Sequence, residues 1–357
     1  MKKIMQHSTL TTLAISLFLT FSQVTVAQTA AADVEIGPLF QNHDTLIVRI
    51  EAPLTTLMEE QPDEEYLDST FTYSDAAGQE HKLDLKLQTR GRFRRNKSTC
   101  TFSPLRLNFR KQQVTGTEFA GQDKLKLVTH CQRGKSYEQL LLREFLAYRI
   151  LQTLTDKSFG ARLMHITYVD TEKSGKSITK YGFVIEDEDD IGDRIGLTAS
   201  KIRRIMASDL DGKQANLVSV FQYLIGNTDF SLILGPEGSD CCHNAVLFSK
   251  GSAPHTPIPY DFDFSGLVGA PYAKPNPRFK LRSVKTRLYR GRCINNEYLD
   301  GTFAYFLEKD PEIRQLLAEL EGLSKSNRKS IDKFLNGFYK DISDPKLKPR
   351  NFFTKCS

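Results

Sequence analysis

Apolar and polar residues alternate one by one through much of the first half of the chain. Leu46, Val48 and Ile50 alternate with Thr45, Ile47 and Arg49, and Leu83, Leu85 and Leu87 with Lys82, Asp84, Lys86 and Gln88. The same spacing returns at Leu105, Leu107 and Phe109, and at Leu125 and Leu127. A period of two places every apolar side chain on one face of a strand, so these segments predict an antiparallel sheet with one buried face. Its other face is rich in Lys and Arg. The period then changes. Ser136 is a fair N-cap for a helix in which Leu141, Phe145, Tyr148 and Leu151 recur at helical spacing. Two more strands are expected at 163–169 and 181–186. Beyond them the pattern is helical: 214–225 carries Leu217, Phe221 and Leu224 on one face, and 312–320 and 326–339 are amphipathic. Strands first, one embedded helix and helices last predict an α+β architecture of two lobes, 28–187 and 188–357, with a cleft between them.

The N-terminus follows a different rule. Lys2 and Lys3 precede a stretch from Leu10 to Val26 that holds no charge, and Ala27 offers a small residue for cleavage, with Ala30 to Ala32 as alternatives. Residues 1–27 therefore read as a secretory signal peptide. The stretch is diluted by Ser, Thr and Gln, which argues against an uncleaved anchor, and no later stretch is apolar enough to span a bilayer. Export to the periplasm or the extracellular space is the expectation, with no stable membrane anchor.

Composition changes this picture little. The 357 residues are 39% hydrophobic and 26% charged, ordinary globular material. The net charge of +6 includes the two lysines of the leader; the mild basic excess that remains suits an anionic partner. Export argues against nucleic acid. The six cysteines, an even count in an exported chain, read as disulfides. Cys100–Cys131 and Cys242–Cys293 are the expected pairs. A metal site of Cys241, Cys242 and His243 is disfavoured, because adjacent residues rarely aim at one ion.

Three short segments carry candidate chemistry. Ile225-Gly226-Asn227-Thr228-Asp229 follows a helix, His243-Asn244 precedes the apolar run 245–248, and Pro259-Tyr260-Asp261-Phe262-Asp263 opens an Asp-rich turn. An Asp after a helix, an Asn in the next loop and an Asp-rich turn after a short strand is a layout that phosphoryl transfer uses: one Asp orients the accepting hydroxyl, and an Asn and a second Asp hold Mg²⁺ on the nucleotide phosphates. Asp261 and Asp263, two apart, would share a face of a strand and repel unless a cation or a proton lay between them.

With these residues in order, the chain resembles the spore-coat-protein-H (CotH) kinases and, more distantly, HipA-type kinases. Both groups carry an Asn-x-Asp loop, a later Asn and a Pro-Trp/Tyr-Asp-x-Asp turn. Further matches are Arg90-Gly91, Pro104-Leu105-Arg106-Leu107-Asn108-Phe109, Leu142-Arg143-Glu144 and Phe183-Val184-Ile185-Glu186, so the likeness spans about residues 85–270. The resemblance implies a two-lobed protein-kinase-like fold, strand-rich N-lobe first and helix-rich C-lobe second, with Mg²⁺ and ATP as cofactors. It implies Asp229 as catalytic residue and Asn244, Asp261 and Asp263 as metal ligands. Arg106 or Lys126 would pair the phosphates; the family usually carries Lys where Arg106 stands. Arg90, at the head of an Arg-rich run to Arg95, would cover the phosphates in place of a Gly-rich loop, and Glu144 would pair with the upstream cation. The partners implied are a nucleotide and a protein or cell-envelope acceptor.

Plainer readings stand beside these. Gly-Asn-Thr-Asp is good turn chemistry on its own. The run Arg90, Arg92, Arg94, Arg95 and Lys97 also reads as a solvated edge, Glu144 as an exposed helix residue, and His130 and His243 as structural. The acidic run 186–190 reads as a solvated loop, and Asp209-Leu210-Asp211-Gly212 lacks the rest of a calcium loop. A non-catalytic envelope protein and a hydrolase using Asp261 and Asp263 are the rival functions.

Overall fold

The alternating segments do form strands, but the sheet they make is closed. A computed structural model describes residues 35–62 and 65–356; the expected leader at 1–27 lies outside the described residues. Seven strands, β1 (Leu46–Ala52), β2 (Leu67–Ser74), β3 (Glu80–Thr89), β4 (Leu105–Phe109), β5 (Lys124–Val128), β6 (Ala161–Asp170) and β7 (Ser177–Ile185), form a barrel in the order β1-β2-β3-β4-β5-β7-β6. Neighbours pair antiparallel except at the seam. There β1 lies parallel to β6, from Leu46 opposite Met164 to Ala52 opposite Asp170.

This closed mixed barrel, with helices packed on it, overturns the two-lobed protein-kinase-like fold and the wholly antiparallel sheet. The reason is physical. Alternation reports which face of a strand is buried, and that face is the same in an open sheet and in a barrel. Closure depends on the pairing of β1 with β6, a contact between remote segments that no local pattern carries.

Inside the barrel, Ile50, Phe71, Leu85, Leu107, Leu125 and Ile166 fill the space between the strands. A second core lies outside it. Helix α1 (Pro38–Gln41), α2 (Leu54–Glu59) and α3 (Lys111–Val114) are short, whereas α4 (Lys135–Leu154) runs the length expected of a core helix. Leu142, Leu146 and Ile150 of α4 are fully buried against Phe183 of β7 and the later helices α5 (Glu188–Ile195), α6 (Gly212–Ile225), α7 (Leu299–Glu319) and α8 (Lys325–Ser343). Truncating one such Leu to Ala costs about 2–5 kcal/mol. A small sheet, β8 (Thr198–Ala199), β9 (Ala245–Ser249) and β10 (Thr256–Pro259), in the order β10-β9-β8, carries the loops of interest.

Local chemistry sets the ends of α6. The Asp211 side chain accepts from the Gln214 N–H, so the segment that began like a calcium loop is an N-cap. Gly226 ends the helix at φ 64°, a left-handed turn that favours glycine, and a Cβ there would come within 2.9 Å of the Phe334 ring. The acidic run 186–190 divides in the same way. Asp187 caps α5, and Glu186 is buried.

Three disulfides form: Cys100–Cys131, Cys241–Cys242 and Cys293–Cys356. The first was expected; Cys242–Cys293 is replaced by a pair of adjacent cysteines and a bridge to the C-terminal segment. Sequence spacing says nothing of which thiols meet in space. Disulfides persist in oxidising compartments, so these pairs fit an exported chain. No helix among the described residues is long and apolar enough to cross a membrane.

Candidate active site

The turn after α6 holds Asp229 from both sides. Asn227 Oδ1 accepts from the Asp229 N–H at 2.9 Å. Arg290 donates to the carbonyl of Thr228 at 2.8 Å and to that of Phe230, bracketing Asp229 in the chain. The carboxylate is equally well engaged. Its Oδ1 meets His243 Nε2 at 2.9 Å, and Asn244 Nδ2 donates to Oδ2 at 3.1 Å and to the Asp229 carbonyl at 2.7 Å. A bond from the Ser231 N–H to the His243 carbonyl joins the two loops. The hydrogen bond to Asp229 holds the His243 imidazole above its ordinary pKa, against its partial burial. Sequence reasoning reads His243 as structural; the structure places its ring on the Asp229 carboxylate, a contact that its position directly before Asn244 could have signalled.

The Asp-rich turn closes on the same place. Tyr260 N–H donates to the Asn244 carbonyl at 3.1 Å, and Asp261 N–H to the Tyr148 hydroxyl oxygen of α4 at 2.9 Å. Asn244 and Asp261 both sit in the left-handed region, at φ 52° and 60°. A non-glycine residue there costs on the order of 1 kcal/mol, a cost met by the surrounding hydrogen bonds and typical of sites that aim a side chain. Since β10 ends at Pro259, Asp261 and Asp263 do not share a strand face. The Asp261 side chain is 46% exposed and the Asp263 side chain 6%. Tyr272 donates to Asp263 Oδ2 at 3.0 Å, and burial, reinforced by the Asp261 charge, pushes the Asp263 carboxyl well above the usual carboxylate range.

Arg94 lies in the middle of the acids. Its guanidinium pairs with Glu144 of α4 at 3.1 and 3.3 Å, and stands 3.5 Å from Asp263 and 3.8 Å from Asp261. Burial alone would lower its pKa, but the Glu144 and Asp263 carboxylates hold it well above the ordinary value. Burial pushes the Glu144 carboxyl up in turn, against the pull of Arg94. Glu144 is thus buried and paired rather than exposed, and its partner is Arg94. The run of alternating arginines showed that guanidinium groups gather here, not which of them turns inward.

The remaining predicted cations share one wall. Arg106 of β4 lies directly across from Lys126 of β5. Lys126 pairs with Glu188 at 2.9 Å and lies 5.7 Å from the centre of the Tyr260 ring. Burial pushes the Arg90 guanidinium down, with Asp261 opposing and Arg94 and Arg106 adding to the fall. Arg90, Arg106 and Lys126 therefore come together beside the turn that carries Asp261.

Among the described residues no group of three or more His, Cys, Asp or Glu is placed to hold a metal ion. Mg²⁺ on a nucleotide needs less, since it takes one or two carboxylates together with phosphate oxygens and water. An open Asp261 carboxylate, and an Asn244 amide whose nitrogen is already spent on Asp229, fit that requirement; Asp263, buried under Arg94 and Tyr272, fits it less well. No protein-family model matches the chain, and no curated protein sequence matches it.

Proposed function

We propose that this chain is an exported phosphotransferase, with loop motifs like those of the CotH-like kinases, that moves a phosphoryl group from a Mg²⁺-bound nucleotide such as ATP to a hydroxyl of a protein or cell-envelope acceptor. One observation carries the reading: Asp229, His243, Asn244 and Asp261 converge from three separate loops, two of them in left-handed backbone, beside a wall of cations. In this scheme the acceptor oxygen forms its bond to the terminal phosphorus as the bond to the departing diphosphate breaks. Asp229 orients the hydroxyl and takes its proton, and His243 holds the carboxylate in place. Arg90, with Arg106 or Lys126, meets the phosphate oxygens with guanidinium forks or an ammonium. Mg²⁺ held by Asp261 and Asn244 would neutralise charge on the transferring group. The site works in the periplasm or outside the cell, where ATP is scarce, so nucleotide must reach it from elsewhere.

Calorimetric titration with ATP and Mg²⁺ tests this. Wild type binds, and Asp261→Ala loses at least about tenfold in affinity, the scale of one charge-assisted contact. Equal behaviour of the two proteins sinks the assignment.

A non-catalytic binding role is favoured by one observation. The cation that two neighbouring carboxylates require is already supplied by Arg94, so Asp261 and Asp263 need no metal to coexist. A protein that holds no nucleotide and binds an envelope component would establish this second reading.

A further inference from the structure

From Phe264 to Asn296 the chain contains no Asp or Glu, yet it carries eight Lys and Arg residues. This stretch is fastened to the Asp229 turn. Arg290 donates to the carbonyls on either side of Asp229 and lies 4.7 Å from the centres of the Phe230 and Phe279 rings. Arg278 lies 4.9 Å from the centre of the same Phe279 ring, so two guanidinium groups share one aromatic side chain. Arg292 belongs to the same group. Burial lowers the Arg290 and Arg292 guanidinium groups, and the charge of Arg278 lowers both further, with Asp229 the acid that opposes the fall at Arg290. Lys280, Arg282 and Lys285 continue the stretch as exposed cations.

Like charges held this close raise the free energy of the folded chain unless an anion is shared between them. The backbone bonds of Arg290 and the stacking on Phe279 fix these groups in place, and Arg278 is exposed. Fixed forks beside a hydroxyl-orienting carboxylate are a receptor for oxyanions.

We infer that the segment 274–292 is the acceptor-binding surface of this site, and that it takes an acidic protein segment in which the accepting Ser or Thr is flanked by Asp or Glu. The word acceptor rests on the phosphotransfer reading; the binding surface does not. An extended row of separate cations matches carboxylates spread along a peptide. A polyanionic glycan fits less well, because the stacking faces a sugar ring would use at Phe230 and Phe279 are engaged by guanidinium groups, and the chain has no Trp.

The experiment is fluorescence anisotropy of the whole chain with a labelled Ser-containing peptide rich in Asp and Glu, with a neutral peptide of equal length and a sulfated polysaccharide as competitors. The acidic peptide should bind saturably, and more weakly as salt rises. The double variant Arg278→Gln/Arg292→Gln should weaken it roughly tenfold, the combined effect of two partly exposed ion pairs. Its melting temperature, measured alongside, should stay within a few degrees of wild type. Absence of saturable binding, binding that ignores the substitutions, or stronger Arg-dependent binding of the polysaccharide would each overturn the proposal. Asp261→Ala separates the two readings: it should weaken nucleotide binding at least about tenfold and leave peptide binding intact. Peptide binding that survives where wild type takes no nucleotide would sink only the phosphotransfer reading.

Discussion

Two buried Arg–Glu pairs in this molecule are alike in burial and in being bidentate, and differ in their surroundings. Arg94–Glu144 and Arg194–Glu186 are both bidentate, and their side chains are 11% and 2% exposed in the first and 12% and 2% in the second. Arg194 spends its other donors on the carbonyls of Asp156 and Ser158, and Glu186 accepts a further bond from the Gly160 N–H. That pair is closed; it clamps α5 to the start of β6. Arg94 instead faces two more carboxylates, neither within hydrogen-bonding distance, and one of them is open to solvent. Three acids share one guanidinium. The burial of an ion pair says little about its role, whereas the balance of charge around it says a great deal.

The largest effect that tests this contrast comes from removing each arginine. Breaking a buried pair leaves an uncompensated charge and costs about 3–5 kcal/mol. Arg194→Gln should fall at the lower end, because Glu186 keeps its backbone donor. Arg94→Gln should fall at the upper end, because Glu144, Asp261 and Asp263 lose their shared cation and the buried two must fold protonated. Chemical denaturation gives both values. The sharper half of the test adds millimolar Mg²⁺, which should restore stability to Arg94→Gln and do nothing for Arg194→Gln. Equal losses, and no response to the ion, would make the two pairs the same kind of clamp.

A second effect is set by pH. Burial raises the Glu144 carboxyl, and with it that of Asp263, above the ordinary carboxylate value, so over the interval between the two the folded chain keeps protons that the unfolded chain releases. Stability then falls as pH rises through that interval, by up to about 1.4 kcal/mol per pH unit for one proton. Glu144→Gln cannot titrate and should flatten the slope. Denaturation curves across pH 5 to 8 decide it; a slope unchanged in the variant would assign the effect to other groups.

Much of the fold was legible, and the limits of legibility are physical. Periodicity found six of the seven barrel strands and α4, α6 and α8, because burial of one face is a local demand. It passed over β2, where only Phe71 and Tyr73 are buried, and it cut α7 short at the N-terminal end, which runs from Leu299 through Pro311. It had no access to barrel closure or to Cys293–Cys356, which are encounters of remote segments. At the candidate site the same division holds. The loops of Asp229, Asn244 and Asp261 were readable because each sits in turn chemistry, and the structure brings them together. The inward turn of Arg94, the bond from His243 and the bracket from Arg290 depend on three-dimensional packing. The acid-free stretch 264–296 is plain in the sequence, but its attachment to the Asp229 turn through Arg290 is not.

The smallest effect on stability belongs to a third pair, and it sharpens the contrast from the exposed side. Lys126–Glu188 is as short as the buried pairs, at 2.9 Å, but its side chains are 19% and 40% exposed. Water screens such a pair, and its worth to the fold is about 0–1 kcal/mol. Lys126→Met should therefore leave the melting temperature nearly unchanged. Its ammonium, however, lies beside Tyr260, next to Asp261 in the chain, where a phosphate would compete with Glu188 for it. In the phosphotransfer reading Lys126→Met should weaken nucleotide binding severalfold, and Glu188→Gln, by releasing the ammonium, should strengthen it. Opposite signs from the two halves of one ion pair cannot come from a general loss of structure. If both substitutions leave nucleotide affinity where it was, Lys126 is an ordinary surface cation, and Arg90 and Arg106 must meet the phosphates without it.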